Sequence, residues 1–205
     1  MNGCVLLSVA AVMAVLSSGA PVAAKPVHEP DTVLWNQNSN FGGSVNSQNY
    51  GSGFEEYTDA AADDFAVPSG QTWRIAEVDV TGVYFNGSGP ASSELVTFYS
   101  NRKNRPYRIY RGPFTLNCTD NDGSFQCILP KRVRLQAGTW WVSLVADCNF
   151  QTCSEWNWTE NTAVRGSEAV WKNPGESGKC TNFKPLHVCF GGAPADLAFD
   201  LIGTR

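Results

Sequence analysis

Apolar and polar residues alternate through residues 61–85, with Phe65 and Val67 on one parity, Asp64 and Ala66 on the other, and Pro68-Ser69-Gly70 interrupting the run. Successive side chains of a strand point to opposite faces, so the stretch reads as two β-strands joined at that turn. In the second strand Trp73 and Ile75 share one parity, whereas Val78, Val80 and Tyr84 hold the other. The mismatch predicts a β-bulge near Ala76-Glu77. Without it, two or three large apolar side chains would face water at roughly 1.5–3 kcal/mol each.

The same logic recurs along the chain. Residues 32–35 read as a first strand, and residues 36–53, dominated by Asn, Ser, Gln and Gly, as a long polar loop. Dense turn residues at 86–90 precede a strand at 95–99. Val133 and Leu135 face inward between Arg132 and Arg134. Residues 138–147 form the longest clean strand, and the face bearing Trp140, Val142, Leu144 and Ala146 is the expected core side. Residues 196–202 close the domain with Leu197, Phe199 and Leu201 inward. No later segment has the 3.6-residue apolar period of a helix. The predicted fold is all-β: a single antiparallel β-sandwich, jelly-roll-like, with disulfide-stapled loops.

Composition refines this. With 205 residues and 42% hydrophobic content the chain can bury one sizeable core. An apolar run from Val5 to Leu16 followed by small residues reads as a secretory signal peptide over 1–24. An N-terminal arm and polar loop over 25–48 and a β-sandwich domain over 49–205 follow. Losing Cys4 with the signal turns seven cysteines into six, in three close pairs: Cys118–Cys127, Cys148–Cys153 and Cys180–Cys189. A secreted, extracellular protein without a membrane span is expected. The net charge of −4 argues against nucleic acid as a partner. Two histidines and the lack of Cys-x-x-Cys argue against metal, and no cofactor motif occurs.

Two stretches carry candidate binding chemistry. Arg102, Lys103, Arg105, Arg108 and Arg111 crowd together with Tyr107 and Tyr110. Arg forks bind carboxylate or sulfate while Tyr stacks, so the stretch either docks an anionic polymer or is an edge strand blocking aggregation. Trp156, Trp158 and Trp171 lie in loop-like sequence and are either a sugar-stacking platform or a plug under the disulfides. Asp63, Asp64, Glu155 and Glu160 are the carboxylates a glycosidase could use. Asp63-Asp64 with Asp196 could alternatively surround a structural calcium. Residues 119–123 look like a calcium-loop fragment but are better read as a hairpin tip. His28 and His187 read as an arm and a loop histidine. Asn86, Asn117 and Asn157 begin glycosylation acceptor triplets.

Residues 61–73 (AADDFAVPSGQTW), 78–87, 137–144, 170–175 and 196–204 resemble a mostly bacterial family of secreted β-sandwich proteins. The resemblance covers residues 49 to 205 and rests on strands and turns. It implies a jelly-roll-like exported module and brings no catalytic residues. Relatives have a Gly/Pro-rich, weakly charged turn where this chain has the basic residues of 101–111, which marks that stretch as particular to this protein. The function expected is a secreted non-catalytic module for extracellular or cell-surface carbohydrate. Its ligand would be held by Trp156, Trp158, Trp171, Tyr107, Tyr110, Arg105 and Arg108. A secreted polysaccharide hydrolase and a protein acting at a host surface are the alternatives.

Overall fold

The computed structural model describes residue 1, residues 29–176 and residues 178–205. The signal-peptide reading and His28 fall on residues 2–28, outside the described residues. The strands are β1 (Thr32–Asn36), β2 (Phe41–Asn46), β3 (Gln48–Asn49), β4 (Ala60–Val80), β5 (Gly82–Phe85), β6 (Ser93–Asn101) and β7 (Pro106–Leu116). They continue as β8 (Thr119–Asn121), β9 (Ser124–Asp147), β10 (Glu155–Asn161), β11 (Val170–Lys172), β12 (Lys184–Pro185), β13 (Asp196–Leu197) and β14 (Phe199–Thr204). Two short helices, α1 (Phe150–Cys153) and α2 (Leu186–Phe190), sit in the disulfide loops.

The larger sheet runs β1-β14-β4-β9-β6-β7, and the smaller one centres on β10 with β2 along one edge and β5 and β13 along the other. Apart from the short parallel β3–β9 pairing, neighbouring strands are antiparallel. The fold is an all-β sandwich. Its core is closed by Trp156 and Trp158 of β10 against Phe125 of β9 and Phe199 of β14, with ring centroids 5.0 and 6.2 Å apart. All three disulfides pair as expected, Cys118–Cys127, Cys148–Cys153 and Cys180–Cys189.

Residues 61–80 differ from their expected hairpin. β4 remains beside β9 on both sides of Pro68, with Val67 opposite Gly138 and Thr72 opposite Gln136. Residues 68–71 therefore bulge from one bent strand instead of reversing it. Proline tolerates this position because an irregular segment has no ladder bond for it to lose. The slip at Ala76 is present: Ile75 pairs with Val133 and Glu77 with Ile128, so Ala76 faces four residues of β9. It puts Trp73, Ile75, Val78 and Val80 all in the core. The polar stretch 36–53 is likewise not a loop, because β2 and β3 lie within it. Three of its polar side chains, Gln37, Ser47 and Gln48, are buried and splice strands together. Gln48 Nε2 donates to the carbonyls of Cys148 and Ser154 at 2.6 and 2.8 Å, and its Oε1 accepts from the Trp156 N–H.

β9 has its expected face in the main core, with Val142, Leu144 and Ala146 fully buried. Its other face is covered as well. Trp141 packs with Ala62 and Val170 in a second small cluster, under Tyr99 and Phe183. The tip at Asn121-Asp122-Gly123-Ser124 is a two-residue hairpin loop with φ of 53° and 94° at its centre, where aspartate-glycine is the favoured pair. Asn157 lies in β10 and is buried, so its acceptor triplet is not on the surface, whereas Asn86 and Asn117 are exposed.

Candidate binding faces

The three tryptophans do not form a surface platform. Trp156 and Trp158 are 0% exposed and Trp171 is 6% exposed. The segment Glu-Trp-Asn-Trp-Thr-Glu-Asn alternates with period two and becomes β10, which aims both rings into the sandwich. Their indole N–H groups are satisfied internally, donating to the carbonyls of Gly123 at 2.7 Å and Ala198 at 2.8 Å. Trp171 donates to the Asn46 carbonyl and packs edge-on against Phe190, beside the Cys180–Cys189 disulfide. An indole with no accessible face cannot stack on a sugar, so these residues are core and plug.

The basic stretch, by contrast, is on the surface. β6 and β7 are joined by a turn whose central residues Lys103 and Asn104 have φ of 53° and 56°, closed by the Arg102 N–H donating to the Arg105 carbonyl. β7 is the edge of the larger sheet. Tyr107, 45% exposed, has the Arg102 guanidinium 4.6 Å and the Arg108 guanidinium 5.0 Å from its ring centre. Tyr110 packs against Trp140, donates its hydroxyl to the Arg134 carbonyl and carries the Arg111 guanidinium 4.4 Å from its ring. Arg111, Phe114, Lys131, Arg132, Val133 and Arg134 line a groove of about 390 Å³. Arg74 and Arg134 stand directly opposite each other across β4 and β9. Among the described residues the ion pair in this region is Arg132 with Asp31. Of the sequence-predicted site, then, Arg105, Arg108, Tyr107 and Tyr110 are brought to one end of the sandwich.

The acidic candidates are mostly buried. Asp63 Oδ2 accepts from Gln37 Nε2 at 2.6 Å and the Leu197 N–H at 2.7 Å, and Oδ1 accepts from the Asp64 N–H. Asp64 accepts from the Ser167 N–H and Asp196 from the Arg165 N–H. Burial pushes all three carboxyls up, Asp63 well above the usual range with the nearby Asp196 adding to it, Asp64 to about 6 and Asp196 to about 7. Among the described residues the set of three donors close enough to share one ion is Glu94, Cys118 and Cys127, and its sulfurs are tied in a disulfide. Glu155 and Glu160 lie roughly 16 Å apart along β10 at about 3.3 Å per residue, beyond the span over which a glycosidase pair cooperates. His187 Nδ1 pairs with the Glu168 carboxylate.

The residue pattern did not single out a second surface feature at the other end of β9. Tyr50, Phe54, Tyr57, Phe150 and Glu155 line a pocket of about 290 Å³. The turn at Glu55–Tyr57 presents Phe54 and Tyr57, and α1, whose Asn149 side chain accepts from the Gln151 N–H, presents Phe150. The Cys148–Cys153 bond closes that loop. The signal that could have found it is the run of three aromatics, Tyr50, Phe54 and Tyr57, in an otherwise polar stretch.

No family model, curated protein or solved structure matches the chain.

Proposed function

We propose that the chain is an exported, non-catalytic module that binds an acidic extracellular polysaccharide through its basic end. The observation that carries this reading is the Tyr107 ring flanked by the Arg102 and Arg108 guanidiniums, beside the Arg111–Arg134 groove, in a chain of net charge −4. Guanidinium forks fit carboxylate and sulfate groups bidentately, and the tyrosine ring between them holds the two forks close together. Like charges facing each other across a ladder are unfavourable, and an anion lying over Arg74 and Arg134 relieves that repulsion. Three intramolecular disulfides fit an oxidising compartment.

Retention on immobilised polygalacturonate and dextran sulfate, compared with cellulose and duplex DNA, tests the reading. Expected is retention on the acidic polysaccharides that salt weakens, since exposed charges are screened within about 8 Å at physiological ionic strength. The double variant Arg105→Glu, Arg108→Glu should lose at least tenfold in affinity. Equal retention on cellulose, preference for DNA, or an unchanged double variant would overturn it.

A further inference from the structure

The pocket at the opposite end of the sandwich has a different chemistry. Its four rings form a closed circuit: Tyr50 to Tyr57 at 6.4 Å, Tyr57 to Phe54 at 6.3 Å, Phe54 to Phe150 at 5.0 Å and Phe150 back to Tyr50 at 6.2 Å. Neighbouring rings are inclined by 40° to 64°; Tyr50 is buried at the base, and the partly exposed Phe54, Tyr57 and Phe150 stand around it as the accessible aromatic walls. A sugar ring presents one broad face of C–H groups and stacks on one exposed aromatic plane. A compact round group suits this arrangement better.

Among the described residues the charged one lining the pocket is Glu155, and no lysine or arginine lines it. Asp59 and Glu155 act on the Tyr50 phenol, which burial first and then their negative charge push up. The site is also preformed. The Tyr50 hydroxyl accepts from Asn46 Nδ2 at 2.9 Å, the Phe150 N–H donates to the Tyr50 carbonyl at 3.1 Å, and the Tyr57 N–H donates to the Phe54 carbonyl at 3.0 Å. Aromatic faces attract cations through their quadrupoles, and a carboxylate at the rim adds to that attraction. At about 290 Å³ the pocket is at the small end of ligand sites.

We infer that this pocket binds a small free quaternary ammonium ion of the choline class, with Phe54, Tyr57 and Phe150 around its methyl groups, Tyr50 supporting them from beneath and Glu155 balancing its charge. The site is separate from the basic end and does not depend on the polysaccharide reading. The decisive comparison is choline against its uncharged carbon isostere 3,3-dimethyl-1-butanol, titrated into the full-length protein by calorimetry and ligand-observed NMR. Expected is saturable one-site binding of choline, at least tenfold tighter than the isostere. Tyr57→Leu, which keeps apolar bulk and removes the ring, should weaken it at least fivefold, and Glu155→Gln at least threefold, with thermal melts confirming that each variant is folded. Equal affinity for choline and the isostere, no saturable binding, or binding to phosphatidylcholine vesicles without binding to free choline would each overturn the inference.

Discussion

Trp158 and Gly82 show how closely the core is fitted at single positions. A Cβ on Gly82 would lie 2.5 Å from the Trp156 ring, so β5 can pair with β10 there only without a side chain. Gly82→Ala is expected to destabilise by about 1–3 kcal/mol through overpacking. Trp158→Ala is expected to destabilise by about 3–5 kcal/mol, because it empties a core position and leaves the Ala198 carbonyl without its indole donor. Urea unfolding of both variants checks these values, and a near-neutral Trp158→Ala would place the ring at the surface after all. Residue-level reading had the cysteine pairs right because close spacing leaves few loops to close. Its plug reading of the tryptophans holds, but it put Trp156 and Trp158 in a loop because Asn, Glu and Thr around them look like loop, although their period of two was already that of a strand.

At the level of elements, β7 has two properties that can be separated. As the outermost strand of the larger sheet it presents unpaired backbone groups, and Arg108 and Arg111 along it oppose pairing with another copy. Arg108→Thr with Arg111→Thr should therefore increase self-association, read by sedimentation velocity at rising protein concentration. Arg105, in the turn before β7, should affect ligand retention without that effect. Unchanged sedimentation of the double variant would count against edge protection. The bulge at Ala76 was legible from parity alone, since misplacing Trp73 or Val78 has a large cost. The strands β2 and β3 were not. What holds them is backbone pairing to β10 and β9 and buried amide splices such as Gln48, and a hydropathy pattern carries no trace of a long-range amide contact.

Over the whole molecule, the two candidate faces lie apart. The arginine-rich end and the aromatic, acidic pocket lie at opposite ends of the β6–β9 ladder, since Trp140 to Asp147 spans roughly 23 Å. Beneath the surface, Asp64, Asp79, Glu94 and Asp196 are raised to between about 6 and 7, in each case mainly by burial. A carboxyl with a folded-state value above its unfolded one binds more protons when folded. Its stabilising share is complete below about pH 4 and disappears as pH rises through 6 to 7. The melting temperature should accordingly fall between pH 5 and pH 8, and Asp196→Asn should flatten that decline. A melting temperature that rises over the same range would contradict the burial of these acids.

By itself the sequence determined the all-β class, the disulfide pairing, the main face of β9 and the location of the basic stretch. These follow from local periodicity, spacing and charge, which are properties of neighbouring residues. Tertiary structure alone decided that Trp156 and Trp158 are core, that Arg74 meets Arg134 across a ladder, and that Tyr50, Phe54 and Tyr57 join Phe150 and Glu155 around one pocket. Each of those facts depends on which strands are neighbours, and pairing between segments far apart in the chain is set by how the whole set of apolar faces is buried at once.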